Sequence, residues 1–203
     1  MSKKGYIIAI EGTDGCGKTT TISEMKKLLA KDERFVFAKE PGGTKVSEAI
    51  KEVIMNNDMD KMTELILFEA SRHHLFHTFI KPNLEKGKII IMDRFTPYTY
   101  IYQSEIEEGM IKYLNSLATE GHDIPDLIIY LDMPLDEQYK RISHRQNNDR
   151  MDNLDKNQLK ILKNKYKAVL ERYSNVCYIN IDASKKPEDI AKQIIHMIFK
   201  NIL

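Results

Sequence analysis

The chain has 203 residues, of which 31 are basic and 30 acidic, so its formal net charge is +1. This length is typical of a single domain with its own hydrophobic core, and the near-neutral charge excludes a strongly basic nucleic-acid surface or an acidic tail. Two distant cysteines and a first apolar run of only five residues exclude a disulfide scaffold, a signal peptide and an N-terminal membrane span, so we expect a cytoplasmic protein without nucleic-acid or membrane partners.

Short apolar runs alternate with longer stretches of helical periodicity, a pattern typical of α/β proteins with a parallel sheet and crossover helices. Each apolar run is nearly continuous, as in strands that are covered on both faces. The predicted strands are Tyr6–Glu11, Phe35–Lys39, 88–93, Leu127–Asp132 and 176–181. The predicted helices are 18–30, 45–54, 62–86, 106–120, Leu135–Ser143, 155–173 and Pro187–Asn201, the last capped by Ser184.

The first predicted strand is followed by a glycine-rich loop, which we call the phosphate loop and define as residues 12–19. Its sequence, GTDGCGKT, fits the pattern GxxxxGK[ST] and stands between a predicted strand and a predicted helix, as that pattern requires. Its glycines let the backbone wrap closely around phosphates, Lys18 can reach the β- and γ-phosphates, and the Thr19 hydroxyl can bind Mg²⁺. The loop predicts nucleoside triphosphate binding, but it leaves the reaction open.

An aspartate at the end of a neighbouring strand is expected to complete the metal site, and the sequence offers two candidates. Asp93 ends the third predicted strand, and Asp132 ends the fourth. We favour Asp93 because Arg94 follows it and is expected to point into the cleft at the carboxyl ends of the strands, where α/β sheets bind ligands. The other interpretation is that either aspartate only caps its strand.

Eight short motifs, in this order and spacing, resemble the thymidylate kinases of bacterial type, within the nucleoside monophosphate kinases. They are EGTDGCGKTT at 11–20, EPGGT at 40–44, LFEASR at 67–72, DRF at 93–95, YQ at 102–103, PDLIIYLD at 125–132, RISHRQNNDR at 141–150 and IDAS at 181–184. The resemblance implies a P-loop NTPase-type α/β fold with a five-stranded parallel sheet in the order 2-3-1-4-5, flanked by helices.

The resemblance also implies a reaction and an assembly. It implies transfer of the γ-phosphoryl group of ATP to dTMP, with Mg²⁺, to give dTDP and ADP. The chain is expected to form one domain over 1–203, with a mobile lid at about 142–156, and to assemble as a homodimer. A solvated surface loop is the other interpretation of the polar lid segment.

The resemblance assigns residues to the ATP side of the site. The ATP-binding residues are Gly12, Thr13, Asp14, Gly15, Cys16, Gly17, Lys18, Thr19, Thr20 and, in a supporting role before the lid, Arg141. Because position 16 is Cys, the phosphate loop has no arginine, and Arg145 and Arg150 in the lid are expected to meet the transition-state charge. Lys18, Arg94 and Asp14 complete the catalytic set, and Asp14 is expected to position the reactants rather than to attack.

The resemblance also assigns an acceptor site. Phe68 and Arg72 lie four residues apart on one predicted helix and so share a face; Phe68 is expected to stack on thymine while Arg72 donates to its edge. Arg94 and Asp14 are expected at the acceptor phosphate and the 3′-hydroxyl. The other acceptor residues are Pro41, Lys51, Thr99 and Gln103, the last two reading the base, and Tyr102, whose ring leaves no room for a 2′-hydroxyl.

Two departures from the family pattern leave base selectivity open. Tyr98 stands where a small residue is typical, and Ser104 replaces a glycine after YQ. An alternative acceptor is therefore another deoxynucleoside monophosphate, such as dUMP or a purine nucleotide. A second alternative is a nucleotide switch without an acceptor site, although the NKxD motif of guanine binding is absent from the sequence, which argues against a GTPase.

Overall fold

The fold is built on five short, apolar strands. A computed structural model of the chain describes residues 5–143, 155–172 and 176–202. The strands are β1 Tyr6–Glu11, β2 Phe35–Lys39, β3 Ile89–Asp93, β4 Leu127–Asp132 and β5 Cys177–Asp182. They form one parallel sheet in the order β2-β3-β1-β4-β5. The predicted fold class and strand order are therefore confirmed.

Helices connect the parallel strands and cover the sheet. Those in the described residues are α1 Lys18–Leu28, α2 Lys45–Asn56, α3 Lys61–Leu75, α4 Lys81–Glu85, α5 Thr96–Tyr102, α6 Glu108–Ala118, α7 Leu135–Ser143, α8 Lys156–Arg172 and α9 Pro187–Asn201. Within these described ranges, no helix is both long enough and apolar enough to cross a bilayer.

Neighbouring residues of β1 pack into different hydrophobic cores, because successive side chains of a strand point to opposite faces of the sheet. Ile8 and Ile10 join a core that includes residues of α1 and α9. Ile7 and Ala9 join a second core, with residues of α3 and the segment that follows it. All four side chains are buried, which explains why the sequence shows an apolar run here instead of an alternating pattern.

Two helical segments differ from the prediction. The predicted helix 62–86 is present as α3, a π-helical turn at Phe76–Ile80 and α4. Pro82 accounts for this irregularity, because it has no N–H to donate to a carbonyl of the preceding turn. The pattern predicts no element over 96–102, where aromatic and β-branched residues are common, but the chain forms α5 there, with a proline in its first turn.

The start of α9 also corrects the sequence prediction. The residue at the cap position is Lys186, which makes no side-chain cap hydrogen bond. Ser184 instead donates from its backbone N and its Oγ to Oδ1 of Asp182, at 2.9 and 2.6 Å. Ser184 therefore stabilises the turn that follows β5 and does not cap the helix.

The parallel sheet brings the predicted site residues to one edge. The phosphate loop follows β1, residues 40–44 follow β2, α5 follows β3 and α7 follows β4, so these segments all leave the carboxyl ends of their strands. Open α/β sheets bind their ligands at this edge. Of the predicted lid, residues 144–154, which include Arg145 and Arg150, lie outside the described residues.

Candidate active site

The phosphate loop depends on glycine at the positions where its backbone turns. Gly12 has a φ of 149°, and a Cβ on it would lie 2.8 Å from the carbonyl oxygen of Leu131. Gly15 has a φ of 78°, and a Cβ there would lie 2.6 Å from Cγ1 of Ile142 on α7. At both positions φ is positive and the neighbouring atoms are close, and only glycine tolerates this combination. Gly17, with a φ of 93°, leads into α1.

Lys18 begins α1 and folds back into the phosphate loop. Its Nζ donates to the carbonyl oxygens of Gly12 at 2.8 Å and Thr13 at 3.3 Å, and the Nζ lies 3.9 Å from Oδ1 of Asp14. Anionic phosphate oxygens are stronger partners for an ammonium group than neutral carbonyls are. The loop therefore holds a cation that a phosphate chain can recruit. The next two residues, Thr19 and Thr20, are exposed.

Arg94 follows β3 directly and pairs with the phosphate loop. Its φ of 68° is a left-handed conformation that is uncommon for a residue with a Cβ. Its Nη2 donates to Oδ1 of Asp14 at 2.5 Å, and its Nη1 donates to the hydroxyl of Tyr166 at 3.1 Å. Burial would raise the pKa of Asp14, but the charges of Arg94 and Lys18 hold it below its ordinary value. Asp14 is therefore an ionised carboxylate between two cations.

Two aromatic rings lie beside Arg94, and a third packs behind them. Its guanidinium carbon is 4.5 Å from the centre of the Tyr98 ring and 5.6 Å from that of Tyr102. The Tyr98 and Tyr102 rings stack with their centres 4.1 Å apart, and the Tyr98 and Phe68 rings form a T-shaped pair with their centres 5.8 Å apart. The Tyr102 hydroxyl donates to Oδ2 of Asp14 at 3.2 Å. Tyr98 thus contacts all three of the residues that are predicted to hold the acceptor's base, sugar and phosphate.

Glu11 ends β1 and supports Arg94 from within the protein. It is fully buried; Oε1 accepts from the backbone N of Phe95 at 2.9 Å, and Oε2 accepts from the Tyr166 hydroxyl at 3.3 Å. The first bond holds the backbone that follows the left-handed Arg94, and the second orients the hydroxyl that contacts its guanidinium. Burial raises the pKa of Glu11 to about 7, although the charge of Arg94 opposes this shift.

The raised pKa of Glu11 predicts a pH-dependent stability. Because the folded protein binds this proton more tightly than the unfolded chain, stability should fall as the pH rises from about 5 to about 8. A shift from 4.5 to about 7 corresponds to a loss on the order of 3 kcal/mol. Glu11→Gln removes the titrating group, so its unfolding free energy, measured by urea denaturation, should fall less steeply over that range.

Two other buried carboxylates should leave a residual dependence of the unfolding free energy on pH in Glu11→Gln. Burial raises the pKa of Glu40 and of Glu69, so both contribute a slope of the same sign. Glu52→Gln, at an exposed position of α2, serves as the control and should retain the wild-type profile. Equal slopes for Glu11→Gln and Glu52→Gln would contradict the prediction.

Arg72 on α3 lies at the centre of a buried polar network. Its Nε and Nη2 contact Oε2 of Glu40 at 2.8 and 2.7 Å. Its Nη1 donates to Oε1 of Glu69 at 2.5 Å and to the Thr99 hydroxyl at 3.0 Å, and it also donates to Oδ1 of Asn115. These partners come from four different segments and fix the plane of the guanidinium. A base that binds beside Arg72 would therefore meet a donor that is already oriented.

Gln103 also has a partner within the protein. Its side chain is fully buried, and Nε2 donates to Oε1 of Glu64 at 2.6 Å. The same oxygen of Glu64 is 3.4 Å from Nζ of Lys61. Gln103 and Thr99, the two residues predicted to read the base, thus both make internal hydrogen bonds in this structure, and their contact with a base stays a prediction.

The loop after β2 connects the Arg72 network to α2. Pro41 follows Glu40, and Glu48 on α2 accepts from the backbone N of Gly43 at 2.9 Å. Glu48 also pairs with Nζ of Lys39 at 3.0 Å and with Nζ of Lys51 at 3.7 Å. Lys51 is thus placed on the helix next to this loop, and its contact with the acceptor phosphate stays a prediction.

The two metal-site candidates have different surroundings. Asp93 and Thr19 line the same cavity of about 430 Å³ beside the phosphate loop. Asp132 instead accepts from Nζ of Lys163 at 2.5 Å and lies 3.7 Å from Nζ of Lys167. A carboxylate that is already paired with two ammonium groups is a poor ligand for a dication. The surroundings therefore favour Asp93, together with Thr19, as the group that could hold Mg²⁺.

Two further predicted ATP-site residues have clear positions. Cys16 is buried and belongs to the core shared with α1 and α9, so its side chain packs beneath the loop. Arg141 is on the exposed face of α7, where its Nη2 donates to Oε1 of Glu137 at 2.7 Å. The roles of Arg145 and Arg150 fall outside the described residues and remain predictions.

The sequence interpretation missed several residues that support the site, chiefly Glu11, Tyr166, Glu69 and Gln138. Signals for two of them were present. Glu11 is a charged residue that ends an apolar strand, and Gln138 lies on the same helical face as the apolar positions 135 and 142. Polar residues at inward positions need partners, because burying an unpaired polar group is costly.

Comparisons with known proteins identify the family of this chain. The family described as Thymidylate kinase matches residues 10–194. A thymidylate kinase of Mesoplasma florum is 36% identical over 203 residues, covering 96% of this chain and 95% of its own. Thymidylate kinases of a Thermoanaerobacter species and of Fervidobacterium nodosum are 34% and 33% identical, covering 97% and 93% of this chain and 98% and 95% of their own. The chain therefore belongs to the thymidylate kinase family, the enzymes that phosphorylate dTMP with ATP.

Proposed function

We propose that this chain transfers the γ-phosphoryl group of MgATP to the phosphate of dTMP at the carboxyl edge of the sheet, where Arg94 joins the donor and acceptor sides. The observation that carries this proposal is the contact of Arg94 with Asp14 of the phosphate loop on one side and with the rings of Tyr98 and Tyr102 on the other. A single guanidinium thus lies between a triphosphate-binding loop and a cluster of aromatic rings. The reaction needs such a cation, because charge spreads over the transferring group.

On the donor side, the residues present fit a magnesium nucleotide. Lys18 would neutralise the β- and γ-phosphates, while Thr19 and Asp93 would hold Mg²⁺, an ion that prefers oxygen ligands. When bound, Mg²⁺ supplies charge stabilisation to the phosphate oxygens. No side-chain nucleophile is needed, since positioning and electrostatics account for most catalysis of phosphoryl transfer.

On the acceptor side, the proposal assigns one subsite to each aromatic or charged group. Phe68 stacks on the base, Tyr102 packs against the sugar, and Arg94 binds the phosphate. Asp14 accepts from both Arg94 and Tyr102, so it orients the two groups relative to each other. A nucleotide switch has no use for an acceptor site of this kind, and the aromatic and charged groups beside the phosphate loop therefore favour a kinase.

The metal assignment gives a direct test. Asp93→Asn should raise the Mg²⁺ concentration for half-maximal ADP release by about tenfold or more, because a neutral amide is a weaker ligand than a carboxylate. Asp132→Asn is the matched control: it also removes a carboxylate at a strand end, but from a group paired with Lys163, and its Mg²⁺ midpoint should equal that of the wild type. A shift in Asp132→Asn alone would reverse the assignment.

The family resemblance also implies a homodimer, and one face of the structure supports this assembly. α3 packs against both α2 and α6, and these three helices carry large apolar side chains with about half or more of their surface exposed. They include Val53, Ile66, Tyr113 and Leu117, at 47, 52, 63 and 60% exposure. Exposed apolar side chains gathered on packed helices are typical of protein interfaces. We propose that a second copy of the chain covers this face.

Leu117→Glu tests the dimer. A buried charge without a partner is costly, so the variant should shift the protein from dimer towards monomer in light scattering coupled to size-exclusion chromatography. Ile161→Glu is the control, because Ile161 is equally exposed, at 57%, but lies on α8, which packs against α5 and α7. A wild type that is monomeric at micromolar concentration, or an equal shift in both variants, would contradict the proposal.

The remaining assignments concern the cellular location of the protein, its domain organisation and its lid. We propose that the chain acts in the cytoplasm, supported by Cys16 being a free, buried thiol. A single domain is supported by the continuous five-stranded sheet that runs through the described residues. The lid at about 142–156, with Arg145 and Arg150 as catalytic residues, is supported by the contacts of its preceding helix, α7, with the phosphate loop and by the packing of α7 against α8.

A further inference from the structure

A buried glutamine connects α7 to the phosphate loop. The side chain of Gln138 is fully buried, and its Nε2 donates to the Thr13 hydroxyl and to the carbonyl oxygen of Asp14, both at 2.6 Å. These contacts join positions that are more than 120 residues apart in the sequence. Both N–H groups of one side-chain amide are therefore used on two adjacent residues of the phosphate loop.

Lys163 on α8 fixes the orientation of this amide. Its Nζ donates to Oε1 of Gln138 at 3.2 Å, and also to Oδ1 of Asp132 and to the carbonyl oxygen of Met133, both at 2.5 Å. An ammonium group can only donate, so the oxygen of the Gln138 amide must face Lys163 and its NH₂ group must face the loop. Gln138 thus cannot flip without losing hydrogen bonds at both ends.

The contact with the Asp14 carbonyl determines where the next N–H points. In a planar trans peptide, the carbonyl oxygen and the following N–H point in opposite directions. Because the Asp14 oxygen points to Gln138 on α7, the N–H of Gly15 points away from α7. α7 packs tightly on that side of the loop, since a Cβ on Gly15 would lie 2.6 Å from Ile142.

We propose that Gln138 is a positioning residue that holds the Asp14–Gly15 peptide so that the Gly15 N–H is presented to the phosphate chain of ATP, with Lys163 as its anchor. The proposal rests on the proposed function, in which this loop binds the phosphates of ATP. Backbone N–H groups of such loops bind phosphate oxygens, and they do so best when their direction is set in advance.

The same contacts link the loop to both ends of the predicted lid. Gln138 belongs to α7, which leads into the segment at about 142–156, and Lys163 belongs to α8, which follows it. One amide therefore joins the two helices that flank the lid to the loop that holds the phosphates. A purely structural glutamine would instead stabilise the fold without affecting the affinity for ATP.

Gln138→Met tests the proposal, because methionine has a similar length and lacks both the carbonyl oxygen and the NH₂ group of the amide. In a coupled ADP-release assay with ATP and dTMP varied separately, kcat/KM for ATP should fall about tenfold or more, the effect of losing one or two neutral hydrogen bonds. KM for dTMP should stay within about twofold. The affinity for ADP, measured by calorimetry without dTMP, should fall in parallel with kcat/KM for ATP.

Gln138→Glu provides the second variant, because its carboxylate can still accept from Lys163 but cannot donate to Thr13 or to the Asp14 carbonyl. It should lose at least as much ADP affinity as Gln138→Met, even though it retains the bond to Lys163. Equal ADP affinity for Gln138→Glu and the wild type would overturn the proposal. This variant also keeps the proposal testable if Gln138→Met does not fold, as judged by circular dichroism.

Asp136→Asn is the matched control, because Asp136 pairs with Lys156 and so also links α7 to α8, on the exposed side of both. It should leave the kinetics with ATP and dTMP unchanged. An equal loss in Asp136→Asn would show that tethering of the two helices matters and that the loop contact does not, and would overturn the proposal. A wild type that released no ADP with dTMP would instead overturn the proposed function, so the two failures are distinguishable.

Discussion

Lys18→Ala should lower kcat by roughly 10³-fold or more, since this side chain is the one cation that the phosphate loop itself supplies to the β- and γ-phosphates. The folded structure should survive, because the partners of the Lys18 Nζ among the described residues are the carbonyl oxygens of Gly12 and Thr13 and the carboxylate of Asp14, and Arg94 remains to pair with that carboxylate. The measurement is steady-state ADP release at saturating ATP and dTMP, with circular dichroism as the check on folding.

Lys27→Ala is the matched control for Lys18→Ala. Lys27 belongs to the same helix, but its side chain is 68% exposed and pairs with Glu24. It should keep wild-type turnover, because an exposed pair of this kind contributes little to stability and faces away from the loop. Near wild-type turnover in Lys18→Ala, with intact circular dichroism, would contradict the assignment of the phosphate loop.

Base selectivity is the second large effect that we expect. The enzyme should prefer dTMP over dAMP, dGMP and dCMP by about 10⁴–10⁵-fold in kcat/KM, because a base with a mismatched edge would bury its own hydrogen-bonding groups without partners. The preference over dUMP should be only about 10–200-fold, since the two bases differ by one methyl group. Ribose monophosphates should also be poor substrates, because Tyr102 contacts Asp14 where the sugar is expected.

Tyr98 is expected to shape the acceptor site. Its ring contacts Phe68, Tyr102 and Arg94, so it forms a wall common to the base, sugar and phosphate subsites. Tyr98→Ser opens a gap among these groups and should lower kcat/KM for dTMP by about tenfold or more, with KM for ATP unchanged.

Tyr98→Phe keeps the ring and should remain close to the wild type, which makes it the control for Tyr98→Ser. If both variants lost activity equally, the hydroxyl and not the wall would be responsible. A wild-type ratio of dTMP to dUMP at or below one would contradict the thymidylate preference while leaving the kinase reaction in place.

The phosphate loop shows how local sequence can predict a site. Its glycines, Lys18 and Thr19 are close in the sequence, and their chemistry depends on a strand and a helix that are themselves apparent from the hydrophobic pattern. The structure confirms that the loop lies between a strand and a helix, because β1 ends at Glu11 and α1 begins at Lys18. The segment 96–102 is the opposite case, because its aromatic residues give no helical pattern and only packing against α8 and α6 explains the helix.

The Arg72 network shows why partners are harder to predict than motifs. The resemblance singled out Arg72, and Glu69 lies three residues before it on the same helix. Glu40 and Asn115, however, come from other segments, 32 and 43 positions away, and nothing in their sequence surroundings connects them to Arg72. The hydrogen bond from Gln103 to Glu64 is equally hard to predict, since the two residues are 39 positions apart in the sequence.

The sequence by itself determined the strand order through family resemblance, the phosphate loop through its motif, and the class of reaction through the combination of motifs. Only the tertiary structure decided which polar groups meet: Glu11 beside Tyr166, Asp132 with Lys163, and Gln138 with the phosphate loop. The physical reason is that short motifs depend on backbone geometry over a few residues, whereas a buried polar group must find its partner wherever the fold brings one within hydrogen-bonding distance.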